Sequence, residues 1–129
     1  MKIRIKLIAM LVITAGIMFS TSCKKEEATL PTVTTGSFTA KADGTAKGVG
    51  NNVTDDGNAD VTARGVVYGS LKNPAIGGTG TVTISAGTGT GTFNVDLEQL
   101  APKFTYHVRA YATNSEGTSY GADVEFTVP

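Results

Sequence analysis

His107 is the only histidine in the chain and Cys23 the only cysteine, so acid–base or thiol chemistry would have to pass through one of them. His107 sits in Tyr106-His107-Val108-Arg109-Ala110-Tyr111-Ala112, where its same-face neighbours Arg109 and Tyr111 are poor partners for a general base. Asp56-Gly57-Asn58-Ala59-Asp60 carries oxygens at alternate positions, as calcium loops do. Val61 stands where such a loop needs glycine and Val67 where it needs a bidentate Glu, so a turn closed by Asx side chains is the better account. Gly87-Thr88-Gly89-Thr90-Gly91 has the glycines of a phosphate loop, but no helix pattern follows to aim amides at a phosphate, and it reads as a flexible hairpin. Ser and Thr are frequent, yet none lies in a nucleophile-elbow pattern. These residues assign no catalytic group, no metal and no cofactor, and the expectation is a chain that is not an enzyme.

The elements that would position these residues are strands. No 3.6-residue periodicity and no capping box precedes an apolar run after Thr32. Instead, runs of alternating polarity recur at 32–40, 45–53, 61–69, 81–85, 92–97, 106–112 and 119–128, separated by Gly- and Asx-rich turns. The sixth run places Tyr106, Val108, Ala110 and Ala112 on one face and His107, Arg109 and Tyr111 on the other. Leu100, Pro102 and Tyr106 mark a loop entering that strand. A Tyr at this point predicts a tyrosine corner, its ring capping the core and its hydroxyl bonded to upstream backbone. Seven such runs predict an all-β, antiparallel, two-sheet sandwich. Gly48 and Gly50 fall inside the second run, where glycine weakens a strand, so filling one of them with Val is expected to stabilise it.

The N-terminus has a different composition. Lys2, Arg4 and Lys6 precede an apolar stretch, residues 7–19, and the small residues Ser20, Thr21 and Ser22 lead to Cys23. This is the layout of a secretory signal, and the stretch is shorter than the ~20 apolar residues that cross a bilayer. Without the three N-terminal bases, eight basic residues face eleven acidic ones, a net charge of about −3 with no basic stripe for nucleic acid. A lone cysteine forms no internal disulfide, so the core must hold the domain unaided.

Ser20-Thr21-Ser22-Cys23 resembles a bacterial lipobox, although Ser20 replaces the usual Leu. The resemblance implies that Cys23 is acylated and consumed as a thiol. Lys24-Lys25-Glu26-Glu27 is similar to the short charged export signal of Bacteroidetes surface lipoproteins. The corner Leu100-x-Pro102-x-x-x-Tyr106, the run from Val108 to Gly121 and the segment Thr62–Tyr68 with Asn73-Pro74 resemble a fibronectin type III domain. They are most like the variant of those same lipoproteins, although the Trp usual in the second strand is missing. This implies a seven-stranded immunoglobulin-like sandwich.

The expected organisation is a lipoprotein signal peptide at 1–22, a lipidated Cys and charged tether at 23–31, and the sandwich at 32–129. The implied protein is a monomeric, lipid-anchored outer-membrane lipoprotein of the cell envelope. It would display a non-catalytic module for structural purposes or for contact with a protein or glycan. Its candidate binding face is His107, Arg109 and Tyr111. The alternatives are a small envelope enzyme or accessory hydrolase and, less favoured, a calcium-dependent adhesive module.

Overall fold

A computed structural model describes residues 27–129; Cys23, Lys24, Lys25, Glu26 and the signal segment lie outside the described residues. The described chain folds into β1 (Thr32–Thr34), β2 (Ser37–Ala40), β3 (Ala46–Asp55), β4 (Ala63–Gly69), β5 (Val82–Ser85), β6 (Gly91–Leu97), β7 (Thr105–Asn114), β8 (Gly117–Tyr120) and β9 (Val124–Thr127). All pairings are antiparallel. One sheet has β3 at its centre, with β1 and β2 along one side and β6 along the other. The second runs β5, β4, β7, with β8 and β9 sharing the outer side of β7. The two sheets form an all-β, sandwich-like arrangement around Val33, Val53, Val66, Leu97, Val108, Ala110 and Val128.

The seven expected strands become nine because the first and last runs are each interrupted. From Val33 onward β1 and β2 keep a single register on β3, with Val33 opposite Val53 and Phe38 opposite Gly48. Between them Gly36 presses so close to β3 that a Cβ would lie 2.1 Å from the Val49 carbonyl oxygen. The last run breaks at Gly121–Asp123, and its register on β7 shifts by one residue across the break.

The two interruptions meet through Thr35. Its hydroxyl accepts from the Ala110 N–H of β7 at 3.0 Å and donates to the Ala122 carbonyl at 2.6 Å. Gly121 leaves room for that contact, since a Cβ there would lie 2.5 Å from Thr35 Oγ1. One side chain from the first sheet therefore satisfies backbone groups that the broken edge of the second would leave open.

The expectation that Val would improve β3 at Gly48 or Gly50 is overturned. The Phe38 ring lies across Gly48, and a Cβ would sit 2.2 Å from it. Gly50 has φ +80° in a bulge, where β3 carries one more residue than β6 between the pairs Gly48–Val95 and Asn51–Phe93. Fully buried Asn51 completes the bulge by accepting from the Gly36 N–H (2.8 Å) and donating to the Phe93 carbonyl (3.3 Å). From Phe38 a line of rings continues through Phe126 and Tyr106 to Phe104, with centroid spacings of 5.9, 5.7 and 5.0 Å. In a chain that has no Trp, these rings run from buried Phe126 and half-buried Phe38 and Tyr106 out to exposed Phe104.

The N-terminal approach is docked where a tether was expected. The Thr29 N–H donates to the Gly57 carbonyl at 2.8 Å, and Asn114 Nδ2 donates to the Thr29 carbonyl at 2.7 Å. Pro31 is buried. The folded body thus begins at about Thr29, ahead of the expected boundary at residue 32.

Candidate functional site

Strand direction sorts the loops to two ends. The N-terminal approach, the β3–β4 loop, the β5–β6 hairpin and the β7–β8 turn share one end, called here the near end. The β2–β3, β4–β5 and β6–β7 loops share the far end.

His107, Arg109 and Tyr111 lie on the face of β7 away from the inter-sheet core, as their alternation predicts. They are not an open face. His107 is 9% exposed and Tyr111 4%. His107 Nδ1 pairs with Asp123 Oδ1 at 2.9 Å. Arg109 Nε donates to the Gly121 carbonyl at 3.0 Å, while its guanidinium covers the Tyr120 ring, 4.5 Å from the centroid. The β4–β5 loop reaches this face: the Asn73 N–H donates to Asp123 Oδ2 and the Ile76 N–H to Tyr120 Oη. The candidate binding face is corrected accordingly: His107 and Arg109 are committed to holding β7 and the β8–β9 kink together, and Tyr111 is buried. Burial alone would raise the Asp123 carboxyl, but the Asn73 N–H, His107 and Arg109 outweigh it and hold the group below its ordinary value.

At the near end, Asp55 Oδ1 accepts from the Gly57 N–H and Asp56 Oδ1 from the Asn58 N–H, each at 2.8–2.9 Å. These are Asx turns, with carboxylate oxygens engaged by backbone. Among the described residues no three acidic, His or Cys side chains are grouped to hold a metal ion. An open trough of about 540 Å³ runs between Asp56, Asp60, Thr88 and Thr90. The Gly87–Gly91 hairpin, expected to be flexible, is pinned by Arg64, which donates to the carbonyls of Ala86, Gly89 and Thr90 at 3.0–3.3 Å. That guanidinium also rests on the Phe93 ring. The hairpin thus turns carbonyls toward a cation and forms no amide cradle.

The far end carries the corner. Leu100 is buried, and its N–H donates to the Gly44 carbonyl at 2.9 Å. Tyr106 Oη lies 2.9 Å from the Ala101 N–H, so the phenol is the acceptor in this bond. The expected corner bond to upstream backbone is present, with the phenol as its acceptor. Pro102 is exposed in the turn. Beside the corner lies a cleft of about 290 Å³ lined by Tyr68, Ser70, Val82, Gln99, Phe104 and Tyr106. Tyr68 meets Tyr106 edge to face at 6.0 Å, and Phe104 is 42% exposed at the rim. The sequence marked Tyr68 only as a strand aromatic. Its place at a cleft depends on the β6–β7 loop, which is thirty residues away in the chain.

Compared with known proteins, the chain matches no family model, and no curated protein sequence matches it.

Proposed function

We propose that this chain is a fibronectin type III-like module of a cell-envelope lipoprotein, anchored through Cys23 and acting by contact, without catalysis. The observation that supports this most is the opposition of the two ends. The chain enters the fold at the near end, where Thr29 is held by Gly57 and Asn114. The six residues from Cys23 to Thr29 reach at most roughly 20 Å. An acylated Cys23 would therefore keep the near end at the membrane and turn the far-end cleft outward. Of the exposed large apolar side chains among the described residues, Leu71, Ile76, Val82 and Phe104 belong to the far-end loops or their borders, while Leu30 lies at the near end and Val49 within β3. The corner at Leu100 and Tyr106, the broken first and last strands and the sandwich arrangement support the fold type. His107 is tied to Asp123 in an open site whose other lining residues are Lys72, Asn73 and Glu125, with no Ser, Thr or Cys among them, which favours contact over turnover.

The test is acylation together with exposure. Cells expressing the wild-type chain should incorporate labelled palmitate and lose the protein to external protease. Cys23→Ala should do neither. Equal labelling of both proteins would sink the anchored reading.

A further inference from the structure

The far-end cleft contains a group whose hydrogen bonding the fold leaves unused. Tyr68 is 8% exposed, yet its hydroxyl bonds to no other described residue, whereas Tyr106 Oη and Tyr120 Oη both accept backbone N–H groups. No buried side-chain oxygen or nitrogen among the described residues lacks a partner, so the Tyr68 hydroxyl must reach solvent where Tyr68 lines the cleft. Desolvation, followed by the neighbouring Tyr106, pushes this phenol up, so at neutral pH it remains an O–H donor. Ser70 and Gln99, both exposed, stand at the sides, and Phe104 presents its ring at the rim, tilted 53° to Tyr106. Among the described residues, no Asp, Glu, Lys, Arg or His lines the cleft.

We infer that this cleft binds one ring of a neutral glycan, with Phe104 as the stacking platform and Tyr68, Ser70 and Gln99 bonding to the sugar hydroxyls. A pyranose has an apolar face of C–H bonds whose partial positive charge suits the negative face of an aromatic ring. Its hydroxyl rim matches uncharged donors and acceptors. A charged ligand would find no counter-charge here, and a purely apolar one would leave the Tyr68 hydroxyl unpaired and dry. An added peptide strand would instead pair with the open edge of β5 through backbone groups. The volume, about 290 Å³, is at the small end of ligand clefts and suits a single ring at a time. One such ring gives weak binding, with a Kd of about 1 mM.

The inference rests on reading the chain as a contact module, but it does not depend on the anchor. The probes are hexasaccharides of β-1,4-linked glucose, xylose and mannose and of α-1,4-linked glucose, with oligogalacturonate as the charged control. They are titrated into the full chain in an amine-oxide detergent that carries no sugar headgroup, and aromatic-ring NMR shifts are followed. At least one neutral hexasaccharide should bind. Phe104→Ala should weaken it at least tenfold and Tyr68→Phe about fivefold, while Val49→Ser on the other sheet should change nothing. Thermal melts of each variant separate lost binding from lost fold. Cys23→Ala should bind as wild type does, so a failed acylation test and a failed sugar test remain distinguishable. The proposal is overturned if no neutral hexasaccharide binds, if oligogalacturonate binds better, or if a folded Phe104→Ala chain binds unchanged. Competition by an extended peptide that shifts β5 resonances would also overturn it, in favour of a protein partner.

Discussion

Tyr106 accepts a hydrogen bond from an N–H whose residue, Ala101, is itself exposed. Removing the hydroxyl therefore leaves an amide that water can reach, and the cost should fall at the low end for a lost bond. Tyr106→Phe should lower stability by about 0.5–1 kcal/mol in a denaturant melt. A loss several times larger would mean that the phenol also donates inward. Gly48 tests packing at the same scale. Adding one methyl forces it against the Phe38 ring, which is itself stacked on Phe126, so Gly48→Ala should cost about 1–3 kcal/mol. In a Phe38→Leu background that penalty should shrink, and the double-mutant cycle reads the coupling directly. Gly48 was not legible as a packing residue, because a strand glycine shows in the sequence only as a gap. What fills the gap at Gly48 comes from Phe38, ten residues earlier in the chain. Buried Asn51 was missed for a related reason: its partners come from both sides of β3, Gly36 from the break between β1 and β2 and Phe93 from β6.

Among the elements, the β8–β9 kink and the β4–β5 loop depend on one carboxylate. Asp123 receives the Asn73 N–H from the loop and the His107 ring from β7. Its folded-state pKa lies below the ordinary 3.8, so the folded chain binds fewer protons here than the unfolded chain does. The stabilisation is therefore complete above the ordinary carboxylate range and disappears as pH falls through the depressed value. Thermal melts from pH 6 to pH 2 should show a stability loss below about pH 4 that is shallower in Asp123→Asn. Parallel profiles for the two proteins would remove Asp123 from the acid response. The alternation of β6 and β7 was readable because strand periodicity needs no tertiary context: Phe93, Val95, Leu97, Val108 and Ala110 all lie in the core. The same alternation could place His107, Arg109 and Tyr111 away from that core, but not in solvent. A loop from the far end covers part of that face, and strand periodicity carries no information about loops.

In the whole molecule, β1 enters at the near end and runs antiparallel along β3, while Phe104 and Tyr68 border the opposite end. Thr35, just past β1, is bonded to both Ala110 and Ala122 in the other sheet. Consider a load applied between residue 27 and the β6–β7 loop. It acts along the strand axis, so the β1–β3 hydrogen bonds are strained together in shear and cannot open one at a time. Thr35 stands as a clip in that load path. Thr35→Val, which keeps the shape and removes both bonds, should lower equilibrium stability by about 1–3 kcal/mol. In an optical trap pulling across those two points, it should also give a clearly lower rupture force than wild type. An unchanged force would assign the resistance to the β1–β3 ladder alone. A module held at one end and gripped at the other would thus resist most strongly along the line on which a surface contact would pull it.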